Sequence, residues 1–144
     1  MKIASDIKIS ASPETIWKTL IDFDNYSKWN HLNLGVHGQP LPDAKLNMDI
    51  QFRGGNKQKV IAMVTGFISP KYLSWTWQSK LGAWWFQIEQ VLRVKEDAMG
   101  DVQFFQELYV TGIKLRFIRR NLERFAQYSI EHMNEDLKEF LEQE

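Results

Sequence analysis

The stretch that decides the fold runs from Leu115 to Leu141, LRFIRRNLERFAQYSIEHMNEDLKEFL. Leu115, Ile118, Leu122, Phe125, Ala126, Ser129, Met133, Leu137, Phe140 and Leu141 recur at steps of three and four, the spacing of one face of an α-helix. At 1.5 Å per residue such a helix is about 40 Å long, enough to cross a whole sheet. Its charges oppose its own dipole. Lys114, Arg116, Arg119, Arg120 and Arg124 crowd the start, whereas Glu131, Glu135, Asp136, Glu139, Glu142 and Glu144 crowd the end. The macrodipole favours the reverse by a few tenths of a kcal/mol per charge. An anionic ligand head or an acidic membrane surface would explain the basic cluster. Pairing with Glu123 and neighbouring acids is the simpler account, since solvated charges cost little.

Working outward, the elements before this helix read as strands with one helical interruption. Ile3, Ile7 and Ile9 mark a first strand. Ser12 as N-cap, Pro13 at the first helical position and Glu14 in the first turn start a helix whose face is Ile16, Trp17, Leu20 and Ile21. Asp22 to Asn30 reads as a short second helix or turn, and the glycines and prolines of 33–43 leave room for only a short strand. Leu46, Met48, Ile50 and Phe52 alternate with polar residues, as a half-buried antiparallel strand does. A turn is expected at Gly54-Gly55-Asn56. Further strands are expected at Val60–Ile68, at Leu73 to Trp77, from Trp84 to Val94, and from Val102 to Val110 up to Gly112. Short turns between successive strands imply an antiparallel meander. The result is an α+β chain, one domain over residues 1–144, with a sheet whose apolar face only the last helix can cover.

Composition closes several functional classes. Lys plus Arg and Asp plus Glu both number 18, so the net charge is zero and no nucleic-acid partner is expected. There is no Cys, which excludes disulfides, thiolate catalysis, zinc fingers and iron–sulfur clusters. No apolar run reaches the eighteen or so residues of a membrane span, and Met1 to Ser12 lacks the layout of a signal peptide, so a cytoplasmic location is expected. Six Trp, nine Phe and four Tyr form an aromatic excess: either the core is unusually aromatic or some rings line a cavity.

Catalytic signals are sparse. His31, His37 and His132 fall in no metal-binding motif. His132 and Glu135 share a helix face, but such pairs arise often by chance, and neither a metal nor an organic cofactor is expected. Glu89 and Glu107 lie on strands, near Gln87, Gln103 and Gln106. Facing an apolar cavity, either carboxylate would gain a raised pKa and could move protons. The outward orientation on a wet convex face is the expected one.

Three patterns resemble those of the helix-grip superfamily, SRPBCC, which includes START lipid-transfer domains, the birch-pollen-allergen fold and polyketide cyclase/dehydrase proteins. The first is Ser12-Pro13-Glu14-x-Ile16-Trp17-x-x-Leu20-x-Asp22-Phe23-x-Asn25-Tyr26-x-x-Trp29-Asn30. The second is Gly66-x-x-x-Pro70-x-x-Leu73-x-Trp75, and the third Met133-Asn134-x-x-Leu137-Lys138. The chain departs from the pattern at Ser27 and His31, where the family often has Pro, and in a Glu107-to-Gly112 spacing one residue longer. The resemblance implies about seven antiparallel strands curved around the C-terminal helix, with two short helices after the first strand, enclosing a cavity for a small apolar molecule.

Trp29, Phe52, Trp75, Trp77, Phe86, Phe105, Tyr109, Phe117 and Phe125 are the expected ligand-binding residues. Of the adjacent Trp84 and Trp85, at least one must face outward or sit at a rim. The expected function is binding of a small apolar or aromatic, lipid-like ligand for transport or sensing. The alternatives are a cyclase or dehydratase using a strand carboxylate or Tyr109 as proton shuttle, and a module that engages a membrane or partner through the Arg-rich helix.

Overall fold

Alternation of apolar and polar side chains builds one curled antiparallel sheet. The computed structural model describes residues 1–53 and 55–143; Gly54 of the expected turn and Glu144 of the acidic helix end lie outside them. The elements are β1 (Lys2–Ile9), α1 (Pro13–Ile21), a 3₁₀ helix (Phe23–Lys28), β2 (Asn33–His37), β3 (Lys45–Ile50), β4 (Gln58–Ile68), β5 (Tyr72–Gln78), β6 (Gln87–Glu96), β7 (Val102–Thr111) and α2 (Leu115–Glu142). The seven strands lie in the order β1-β7-β6-β5-β4-β3-β2. The chain therefore has the α+β helix-grip architecture that the resemblance implies.

The start of α1 follows its sequence signals. The Ser12 hydroxyl accepts from the Thr15 amide at 3.1 Å, satisfying an otherwise orphaned donor of the first turn. Ile16, Trp17 and Leu20 are buried. A shift of register between Val64 and Gly66 turns Phe67 towards α1, where its ring centroid lies 5.7 Å from that of Trp17. Tyr26 is fully buried, and its hydroxyl donates to the Leu20 carbonyl. Burial, with the Asp22 charge adding to it, pushes this phenol far above its ordinary value, so it stays a neutral donor.

One expectation is corrected. Trp84, Trp85 and Phe86 precede β6 instead of opening it, because the amides of Trp85 and Phe86 turn back to the Gly82 carbonyl at 3.2 and 3.3 Å. This turn anchors the start of α2: Ile113 and Lys114 donate their amides to the Trp84 and Trp85 carbonyls, both at 2.9 Å. Gly112 makes the approach possible. Its φ is +118°, and a Cβ there would lie 2.3 Å from the Trp85 carbonyl oxygen.

From that anchor α2 runs back over the sheet. Gln127 and Lys138 reach the β1 carbonyls of Ala4 and Lys8 at 3.0 and 3.1 Å. Ala126, Ile130, Met133 and Leu137 are completely buried, but Ile118, Leu122 and Phe125 are only half-buried. The C-terminal half of α2 thus fills the sheet, and the N-terminal half leaves space against β4 and β5. Among the described residues, no helix is long and apolar enough to cross a membrane.

Candidate functional site

That space is a groove of about 490 Å³, open to solvent on one side. It falls within the roughly 300–1,000 Å³ range of small-molecule sites. Phe52 closes it from the segment after β3, Val60 from β4, Trp77 from β5, Phe86 from the turn before β6, and Ile118 and Leu122 from α2. Trp77 and Phe86 meet edge to face with centroids 5.7 Å apart. Gln58, Ile61, Gln78 and Ser79 and the cations Lys59, Lys80 and Lys114 complete the lining, and among the described residues no carboxylate takes part in it. The Lys114 ammonium stands 5.1 Å from the Phe86 ring centroid, a cation over an aromatic wall. An apolar floor under a positive rim suits a molecule with a hydrophobic body and an anionic end.

The remaining expected site residues lie elsewhere. Trp75 is buried in the core, and its indole N–H donates to the Gln90 side-chain oxygen at 3.1 Å. Trp29 is also core; it packs on Tyr26 and Phe140, near the far end of α2. Phe105 and Tyr109 are on the convex face, opposite the groove. The alternation of Val102, Phe104, Gln106, Leu108 and Val110 towards the helix sends their odd-numbered neighbours outward. Phe117 is 75% exposed, its ring tilted against that of Trp85 with centroids 6.5 Å apart, while Phe125 is half-buried on α2 outside the groove. Of the nine residues, the fold brings together Phe52, Trp77 and Phe86. Sequence reasoning had Ile118 and Leu122 as core positions, and Lys114 only as a helix charge.

The carboxylates considered for proton transfer are likewise on the convex side. Glu107 is bridged by Arg93 at 2.7 Å and Lys2 at 3.3 Å, and accepts from the Tyr109 hydroxyl. Burial alone would raise its carboxyl, but the bonds from Tyr109 and Lys2 and the charges of Arg93 and Lys2 outweigh it, leaving the group below its ordinary value. Tyr109 is raised in turn, chiefly because its proton is held by Glu107. Glu89 accepts from Thr65 at 3.2 Å on the same face. These groups form an outer polar cluster with no access to the groove.

A network of buried amides ties the sheet to α2. Gln90 exchanges hydrogen bonds with Asn33 at 3.1 and 3.2 Å, and donates to Gln106 at 2.6 Å; Gln106 donates to Asn134 at 2.8 Å. The space against α2 is an open groove at one end of the sheet, and the amides lie within the packed core.

The fold is shared with proteins of solved structure. A START superfamily protein from Mycobacterium smegmatis superposes with a TM-score of 0.73 at 20% identity, covering 98% of this chain and 97% of that one. The Aha1 dimer from Colwellia psychrerythraea gives 0.71 at 20% identity, over 99% and 96%. The di-domain ARO/CYC BexL from the BE-7585A biosynthetic pathway gives 0.74 at 11% identity, over 100% of this chain and 50% of that one. The fold is the START-like helix grip. No protein-family model and no curated protein sequence matches the chain.

Proposed function

We propose that the START-like groove binds one small molecule with an apolar or aromatic body and an anionic end, for transport or sensing. The observation that carries this is the lining itself: Phe52, Trp77, Phe86, Ile118 and Leu122 below, and Lys59, Lys80 and Lys114 at the rim. A buried apolar ligand gains roughly 25 cal/mol per Å² removed from water, and partly desolvated lysines add selectivity for an anion. The cyclase alternative, which the likeness to BexL keeps in view, needs a proton-transfer group at the ligand. Glu89, Glu107 and Tyr109 stand on the opposite face, so the rim lysines are the titratable groups it would have to use.

A second reading has its own observation. Leu81, Trp84 and Phe117 are 64%, 64% and 75% exposed and close in sequence to groove-lining residues, and the exposed Arg116, Arg119, Arg120 and Arg124 share the first half of α2 with Phe117. Among the described residues, none of these arginines forms a bridge to a carboxylate. Exposed rings amid free cations suit the surface of an anionic membrane, where a lipid-like ligand would be collected or delivered.

Native mass spectrometry of the protein purified from its own host tests the binding function. The expected spectrum contains a species heavier by one small ligand, which a Leu122→Trp variant loses. A spectrum of unliganded chain alone, under conditions that retain added fatty acid, would count against it.

A further inference from the structure

His31 follows the 3₁₀ helix, and His132 and Asp136 stand one turn apart on α2. His31 Nδ1 lies 2.8 Å from Asp136 Oδ2, and His132 Nδ1 lies 3.3 Å from the same oxygen. One ligand-type atom from each residue lies within 4.8 Å of the other two. We propose that His31, His132 and Asp136 bind one divalent transition-metal ion, which clamps the connection between the 3₁₀ helix and β2 onto α2. This revises the expectation that no metal is held. His132 was paired in sequence with Glu135, whereas the fold supplies Asp136 and a second histidine from 101 positions earlier.

The donor set is chemically suitable. Two imidazole nitrogens and a carboxylate oxygen match zinc, cobalt or nickel, whereas calcium and magnesium prefer oxygen alone. Around zinc, with bonds of about 2.0–2.1 Å, tetrahedral donors sit roughly 3.3 Å apart. His132 and Asp136 already have that separation. His31 has to retreat by about 0.5 Å to match it, and its side chain, 69% exposed, has the room. Three protein donors leave a position for water, on the side where His31 meets solvent.

The surroundings orient these donors and attract a cation. The Tyr128 ring stacks on His132 at 5.9 Å, and the His31 amide donates to Asp136 Oδ2 at 3.3 Å. Glu131, Glu135 and Glu139 share this half of α2, and the C-terminal end of a helix is its negative pole. The charge layout that opposes helix stability thus favours a bound cation. Of the opposing charges, Arg53 is engaged on the Tyr128 ring at 4.0 Å, and Lys28 lines the same shallow pocket as His31 and Asp136, where Glu139 also stands. With no ion bound, His31 Nδ1 is hydrogen-bonded to Asp136 Oδ2 and His132 Nδ1 stands 3.3 Å from the same oxygen.

The test uses the full chain without a histidine tag, titrated with zinc and separately with cobalt, whose visible absorption reports coordination. The expected result is one saturable site per chain, the cobalt spectrum of a low-coordinate nitrogen–oxygen site, and a raised Tm with zinc. His31→Ala and Asp136→Asn should each weaken binding at least about tenfold, as loss of a coordinating group does, with unchanged circular dichroism. His37→Ala, remote from the cluster, should bind as the parent does. Should Asp136→Asn fail to fold, the exposed His31→Ala decides alone. Absence of saturable binding, or a site that survives His31→Ala, would overturn the proposal.

Discussion

Gln90 Nε2 donates to Gln106 Oε1 at 2.6 Å between adjacent strands β6 and β7, inside the face that α2 covers. These two buried amides are tolerated because each is answered: Gln90 also serves Trp75 and Asn33, and Gln106 reaches Asn134 on the helix. The chain of bonds links β2, the centre of the sheet and α2.

Truncating this network should be costly. Gln90→Ala leaves the Trp75 indole N–H and the Asn33 amide without partners, and each buried orphan costs about 1–3 kcal/mol. A loss of at least about 2 kcal/mol in urea unfolding is expected. A loss below about 0.5 kcal/mol would show that the network carries no such cost.

Gly112→Ala should act on the anchor of α2. The positive φ and the 2.3 Å approach to the Trp85 carbonyl leave no place for a methyl group without moving the turn. Destabilisation well above the ordinary 1 kcal/mol of a Gly-to-Ala change at an incompatible site is expected, and weakened ligand binding with it, since Phe86 and Lys114 flank the joint. A variant with parental Tm would contradict the close approach.

Trp17→Ala tests the first helix. Trp17 is buried at 4% exposure and packed on Phe67, so its removal should cost about 3–5 kcal/mol by thermal or urea unfolding. Because α1 lies away from the groove, the folded fraction should bind ligand with unchanged affinity.

The acid limb of stability reports on Glu107. A carboxyl held below its unfolded value, about 4.3, contributes fully above that pH and loses its contribution as pH falls through the lower folded value. Urea midpoints should therefore fall between about pH 5 and pH 2, and Glu107→Gln should flatten the fall. At neutral pH the difference should be small, near 1 kcal/mol or less, because Arg93 and Lys2 are about half exposed. Parallel acid limbs in the two proteins would show that this carboxyl is not held.

Most of the architecture was legible from local signals. The Ser12 cap, the alternation of the strands and the three-and-four spacing from Leu115 to Leu141 each point to the element observed. The site was legible only in part. Parity along β7 could have placed Phe105 and Tyr109 outward, since Phe104 and Leu108 already claim the inner face. Nothing local separates Trp75 from Trp77: they share a face of β5, and what packs over them, Phe23 of the 3₁₀ helix on Trp75 and the open end of α2 across from Trp77, makes one core and the other groove wall. The same holds for Leu122 and Leu137, which are identical in pattern but packed at the open and the closed end of one helix. The meeting of His31 with Asp136 is wholly tertiary, 105 positions apart.

The central claim is that an apolar anion occupies the groove between Trp77, Phe86 and Leu122. Isothermal titration of a long-chain fatty acid into the parent protein and into Leu122→Trp, which fills the groove, measures it most directly. One molecule should bind the parent chain, and Leu122→Trp should bind at least tenfold more weakly, a difference of about 1.4 kcal/mol, with its folding intact. Equal affinity in the two proteins, or no binding to the parent, would contradict the account.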